Sequence, residues 1–255
     1  MTVIIAAIDR SSAAEPVIRA ATALAPLFDA VVEVVHVRED GTGFPEAVAS
    51  AAGRALRILD GDPASCLVDE ITRPDVVAAV VGARGGPGGP RPAGSTALVV
   101  LAQVRKPVIV VPPEWAHAAS FERAIVPLDA AAATSAAVEA ALGACARAGL
   151  EILVVHVFSH DTLPHFWDRP AYEGEEWARE FLSRHCAEPE AHIELRTGAP
   201  AREVLDLVKG SGDLIVLAWS QDLSWGRAHL VRETLADSCV PVVFVPVGAA
   251  HHLAE

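Results

Sequence analysis

The chain repeats itself, and the repeat restricts its fold more than any other feature. "VIIAAIDRSSAAEPVIRAATALAPLFDAVVEVVHV" runs alongside "AIVPLDAAAATSAAVEAALGACARAGLEILVVHV". Asp9 answers to Asp129 and His36 to His156, both at an offset of 120. Further on, "DGDPASCLVDEI" matches "TGAPAREVLDLV", with Gly61 and Pro63 against Gly198 and Pro200 at an offset of 137. "KPVIVVPP" matches "VPVVFVPV", Pro107 against Pro241 at 134. The offset rises where the second copy inserts "SHDTLPHFWDRPAYEGEEW" and falls where its glycine stretch is shorter. A unit duplicated in tandem, 1–118 and 119–255, is the simplest account.

Each copy alternates β-branched apolar runs with helical patterns. In the first, Val3–Ile8 reads as a strand ending at Asp9. A helix follows, with Ser12 and Glu15 spaced as a capping box and Val17, Ala20, Ala21, Leu24 and Leu27 on one face. Then come a strand Val31–Val37, a helix near Pro45–Ala55, a strand Leu56–Leu59, a helix Ala64–Ile71 and a strand Val76–Val81. A helix Thr96–Val104 and a strand Val108–Val111 complete the unit. Continuous apolar strands alternating with helices predict a parallel sheet covered on both faces. The expected fold is therefore α/β: two tandem doubly wound domains, each a five-stranded, mostly parallel sheet with helices on both faces. The last strands, Val108–Val111 and Val242–Val245, end in prolines that suit an edge. They are expected to pair, closing the two copies into an intramolecular pseudo-dimer. A homodimer of the whole chain is a further option.

In such sheets ligands sit beyond the strand ends where the strand order reverses, which directs attention to Asp9, Val37 and Gly82. Gly82 opens "GARGGPGGPRPAGST", which holds six glycines and three prolines between a strand and a helix. Two readings compete: a surface loop, or a backbone cradle whose N–H groups and helix N-terminus suit phosphate oxygens. The Walker and dinucleotide fingerprints are absent.

Charge separates the copies. The chain carries a net −13, with 13 acidic against 10 basic side chains in 1–118 and 20 against 10 in 119–255. That balance disfavours nucleic acid, which needs a positive footprint, and it repels a polyanion less from the first copy than from the second. No apolar run reaches membrane-spanning length, so no membrane association is expected. The opening "MTVIIAAIDR" lacks the flanks of a signal peptide, and the four scattered cysteines read as reduced thiols; both suggest a cytoplasmic protein.

Asp at the end of the first strand, "VVHV" at the end of the second, Gly82-x-x-Gly85, Gly94-Ser95 and "KPVIVVP" occur here in order. Together they resemble the universal stress proteins, over nearly the whole chain as two tandem copies. The resemblance implies an adenine-nucleotide alpha-hydrolase-like fold. In ATP-binding members the glycine motif wraps phosphates and ribose while the first two strand ends frame the adenine. Carried over, Ala7, Ile8, Asp9 and Val37 would meet the base and ribose, and Gly82, Arg84, Gly85, Gly94, Ser95 and Thr96 the phosphates. The family pattern places nine residues between its second and third glycines. Here eight lie between Gly85 and Gly94, among them Pro87, Pro90 and Pro92, which remove donors and stiffen the loop.

In the second copy Ala218, Gln221 and Ala228-His229 stand where the motif has Gly, Gly and Gly-Ser, so ATP is expected in the first domain only. His156, His160, Asp161 and His165 look like metal ligands in print. The match of His156 to His36 makes it a strand-end histidine, and no metal is assigned. The aromatic insert (Phe166, Trp167, Tyr172, Trp177) is read as a lid over the degenerate second site rather than as a partner surface. Ser12, Ser95 and Ser220 lack a nucleophile elbow, so no catalytic residue is assigned. The resemblance implies a nucleotide-linked regulatory module in stress response without turnover of its own. The alternatives are a nucleotide-free interaction scaffold and an adenylate-handling or ATP-hydrolysing enzyme.

Overall fold

The computed structural model describes residues 1–38, 53, 55–84, 94–116, 120–158, 171–222 and 229–248. The expected helix near Pro45–Ala55 and the prolines of the glycine stretch lie outside them, as do Phe166 and Trp167.

The first half runs β1 (Thr2–Ala7), α1 (Ala14–Leu24), β2 (Ala30–Arg38), β3 (Leu56–Asp60), α2 (Pro63–Thr72), β4 (Val76–Gly82), α3 (Ser95–Gln103) and β5 (Val108–Val111). A 3₁₀ turn, Ala25–Phe28, follows α1. The second half repeats the scheme: β6 (Arg123–Pro127), α4 (Ala132–Arg147), β7 (Glu151–Phe158), α5 (Ala171–His185), β8 (His192–Thr197), α6 (Pro200–Leu205), β9 (Asp213–Trp219), α7 (His229–Asp237) and β10 (Val242–Pro246). The apolar runs become strands within about a residue of where the sequence puts them. The predicted face of α1 is buried through Val17, Ala20, Ala21 and Leu24.

All ten strands form one sheet in the order β3-β2-β1-β4-β5-β10-β9-β6-β7-β8. Every neighbouring pair is parallel except β5 with β10, which run antiparallel with Val242 opposite Val110, Val243 opposite Ile109 and Phe244 opposite Val108. In the first half-sheet α1 packs on β1 and β4, and α2 packs against α3. Both seam strands are wholly buried. The connecting segment is held as well: Trp115 stacks on Phe121 at 5.6 Å, and its Nε1 donates to Ser211 O at 3.0 Å.

A buried ion pair fixes the start of the second half-sheet. Arg123 donates from Nε and a terminal nitrogen to both oxygens of Asp213 (3.0 and 2.8 Å), and also to Leu207 O at 2.9 Å. Lys209 N and Gly210 N complete the shell of Asp213 Oδ2. Burial alone would push this carboxyl up. The Arg123 guanidinium and the two backbone N–H groups outweigh it and hold the group below the usual carboxylate range. A depressed folded value means stability present above the unfolded value, about 3.9, and lost as pH falls through the folded value. The contribution of this pair should therefore stay level from neutral pH to about 5 and fall below about 4, which puts it in the acid limb of the urea midpoints. Asp213→Asn should shrink that acid dependence, and an unaltered acid limb in the variant would assign it to other carboxylates.

Candidate functional site

The strand order reverses between β1 and β4, and beyond their carboxyl ends lies a cavity of about 720 Å³. Ala7, Ile8 and Asp9 reach it from the end of β1, Val37 from β2, and Gly82 and Arg84 from β4. Gly94, Ser95 and Thr96 reach it from the start of α3. Gly85 lies outside the described residues.

The turn after β1 is built by Asp9. Its Oδ1 accepts from Ser11 N (2.9 Å) and from the Ser11 hydroxyl (2.5 Å), and Ser11 Oγ accepts from Ala13 N at 3.1 Å. The expected capping box between Ser12 and Glu15 does not form. The N-cap of α1 is Ala13 with no side-chain cap, and Glu15 pairs with Arg19 one turn on. Asp9 and Ser11 build the turn instead, and the helix starts from Ala13 rather than Ser12. Asp9 Oδ2 has no partner among the described residues, and a carboxylate oxygen accepts only, which suits a sugar hydroxyl.

His36 also lines the cavity, although the sequence marked it only as part of the repeat and of the "VVHV" strand end and not as a site residue. Its Nδ1 lies 2.9 Å from Ile8 O; because a carbonyl only accepts, the ring carries its proton there. This bond ties the end of β2 to the end of β1.

At the other end of the cavity two glycines serve different needs. A Cβ on Gly82 would sit 3.3 Å from Ala13 Cβ, so glycine lets α1 start close against β4. Gly94 has an ordinary backbone conformation and is the N-cap of α3. Its N–H goes to Ala83 O at 2.8 Å, and the first helical bond is Leu98 N to Gly94 O. With no side-chain cap on α3, the N–H groups of Ser95, Thr96 and Ala97 have no intrahelical acceptor, and these three residues line the cavity. A helix start of this kind favours anions through both its donors and its dipole.

Arg84 brings the positive charge, but its head group also reaches out of the cavity. It pairs with Glu114 Oε2 at 2.9 Å and donates to Ala236 O, in the last turn of α7, at 3.5 Å. Its Nε is buried with no hydrogen-bond partner among the described residues.

The second half keeps the frame and fills the space. His156 Nδ1 donates to Leu128 O at 2.8 Å, as His36 does to Ile8. Around its ring stand Phe158 (4.6 Å between centroids), Phe181 (4.8 Å) and Trp177 (5.2 Å), the last two from α5. Burial, with His185 nearby, pushes this imidazole below its usual value despite the Leu128 carbonyl. Trp177 is thus the member of the aromatic insert seen packing on the strand end; the Tyr172 side chain, His160, Asp161 and His165 lie outside the described residues.

Gln221, at the place of a motif glycine, keeps a left-handed backbone at φ 61. Its amide donates to Val104 O (2.7 Å) and Leu101 O (3.1 Å), and Trp219 Nε1 donates to Leu101 O at 3.0 Å. Both therefore serve the C-terminal end of α3 in the other half. Sequence reasoning could find Gln221 as a rewritten glycine, but not its partners 117 to 120 residues away.

A smaller cavity of about 280 Å³ lies between α4 and the end of α5. There Ser135 Oγ is 3.2 Å from His185 Nδ1 and 3.2 Å from Ala131 O. Among the described residues no carboxylate bonds His185, so the pair lacks the third group that orients a base in nucleophilic catalysis.

The sequence profile of the universal stress protein family matches residues 120–247, the half whose glycine motif is rewritten. No curated protein matches the chain in sequence. Among solved structures, a universal stress protein from Archaeoglobus fulgidus DSM 4304 superposes with a TM-score of 0.65 at 16% identity, covering 96% of this chain and 98% of that one. A functionally unknown protein from Pseudomonas aeruginosa PAO1 superposes with a TM-score of 0.71 at 10% identity, covering 99% and 95%. At these identities the likeness is one of fold. It extends over both halves. Among the described residues no helix is long and apolar enough to cross a membrane.

Proposed function

Because the chain belongs to the universal stress protein family, we propose that it is a tandem regulatory module, with domains 1–118 and 119–255, that binds an adenine nucleotide, ATP, in the first domain and does not turn it over. The observation that carries this reading is the single cavity on which Ala7, Ile8, Asp9, Val37, Gly82, Arg84, Gly94, Ser95 and Thr96 all converge. Its volume of about 720 Å³ falls within the range of small-molecule sites. Its chemistry is graded. The strand ends offer an apolar wall and the Asp9 carboxylate for base and ribose. The open start of α3 and the unmatched Nε of Arg84 suit phosphate oxygens.

The second domain acts as a built-in partner. Gln221 and Trp219 support α3 from one side while Arg84 reaches α7 from the other, a reciprocal exchange that supports an intramolecular pseudo-dimer in the cytoplasm. Calorimetric titration of the purified chain with ATP tests the reading. Saturable binding is expected, and Arg84→Ala should weaken it about tenfold, in keeping with one charge-assisted contact. No heat and no thermal shift at millimolar ATP would leave the nucleotide-free scaffold as the function.

A further inference from the structure

We propose that Arg84 couples occupancy of the cavity to the junction between the two halves, with the anionic end of the ligand and Glu114 competing for its guanidinium. The proposal rests on the reading that the cavity takes a nucleotide.

Arg84 belongs to two places at once. It lines the cavity immediately after β4, yet its terminal nitrogens contact Glu114 of the connecting segment and the carbonyl of Ala236 in α7. Among the described residues no other residue named at the cavity bonds to the second half. The present bonds leave the guanidinium incompletely used. The Ala236 contact is long at 3.5 Å, Glu114 is 41% exposed, and the buried Nε has no acceptor among the described residues. A half-exposed carboxylate holds an arginine weakly, because water screens the pair. A buried N–H without an acceptor is unfavourable and is relieved by any acceptor that arrives. A phosphate group offers several oxygens and matches the planar fork of arginine better than one screened carboxylate.

The same head group cannot turn toward the cavity without altering its hold on Glu114 and Ala236. Ala236 sits in the last turn of α7, where carbonyls lack intrahelical donors and a cation is favourable. Moving Arg84 therefore changes the environment of that turn. By reciprocity, whatever loosens Arg84 from the junction must strengthen its hold on the ligand.

Glu114→Gln keeps the shape of the side chain and removes the competing charge. In calorimetric titrations of the full chain it is expected to tighten ATP binding about three- to tenfold. In an Arg84→Met background the same change should have no effect, because the competition runs through the guanidinium. Arg84→Lys gives a second background that keeps the charge without the fork. Amide exchange of residues 229–238 should change when ATP saturates the wild-type chain and should not change in Arg84→Met. An equal gain from Glu114→Gln with and without Arg84 would make Glu114 a general repulsive charge and overturn the coupling. So would ATP binding that leaves both the Glu114→Gln affinity and the exchange of 229–238 unaltered. A wild-type chain that binds no ATP removes the nucleotide reading itself, and the coupling with it.

Discussion

Replacing Phe244 with alanine is expected to lower the stability of the whole chain by about 3–5 kcal/mol, the usual cost of emptying a fully buried phenyl site. Phe244 has no exposed surface and stands opposite Val108 across the antiparallel seam, with the Trp219 ring edge-on at 6.5 Å. β5 contributes only four residues and would otherwise be a sheet edge, so the seam depends on side-chain packing more than on ladder length. A loss of this size is a large share of the 5–15 kcal/mol that commonly separates folded from unfolded domains. The ten strands share one sheet, and the connecting segment is held by Trp115 against Ser211. The wild-type chain should accordingly unfold in urea as one transition by circular dichroism and tryptophan fluorescence. Phe244→Ala should move that midpoint without leaving one half behind. A change below about 1 kcal/mol, or separate melting of the second half alone, would show that the seam does not join the halves energetically.

The strands and the duplication were legible because burial on both faces forces continuous apolar runs, and "VIIAAI", "VVEVVHV" and "DLIVLAW" have few other uses. Convergence at the cavity was legible too, since a doubly wound order sends the ends of β1, β2 and β4 to one crevice. The start of α1 was not. Ser12 and Glu15 have the spacing of a capping box, but Asp9 and Ser11 build the turn and the N-cap falls on Ala13, a shift of one residue that spacing alone does not show. Contacts between the halves were also hidden. Arg84 meets Ala236 across 152 positions, and Gln221 meets Val104 across 117, through backbone carbonyls that carry no residue identity. The role of Gly82 could be read only as freedom near a phosphate, whereas the structure also needs it for the approach of Ala13. The profile match to residues 120–247 follows the same logic. Strands and helices are held by the core, whereas a loop position such as Gln221 is not.

Titration with ATP is expected to give one site per chain, and Gly94→Val should remove it, with a loss on the order of a hundredfold or more. Gly94 separates binding from folding. Its φ of −59° is open to any residue, and among the described residues an added Cβ would touch only Ala83 O, at an ordinary 3.7 Å. The added side chain would stand among the residues that line the cavity, next to Ser95 and Thr96. Stability should therefore change little while the approach of a phosphate to the helix start is blocked. The second half offers no equivalent. Trp177 and Phe181 stand against His156 where the first half keeps its cavity beside His36, and the surrounding half carries −10 against −3. Restoring one motif glycine by Gln221→Gly should not create a second site, because the aromatic rings still fill the base end. It should instead lower the melting temperature, since the C-terminal carbonyls of α3 lose their amide donor. Two equivalent sites in the wild-type chain, or full ATP affinity in a folded Gly94→Val variant, would place the nucleotide somewhere other than the cavity at the ends of β1, β2 and β4.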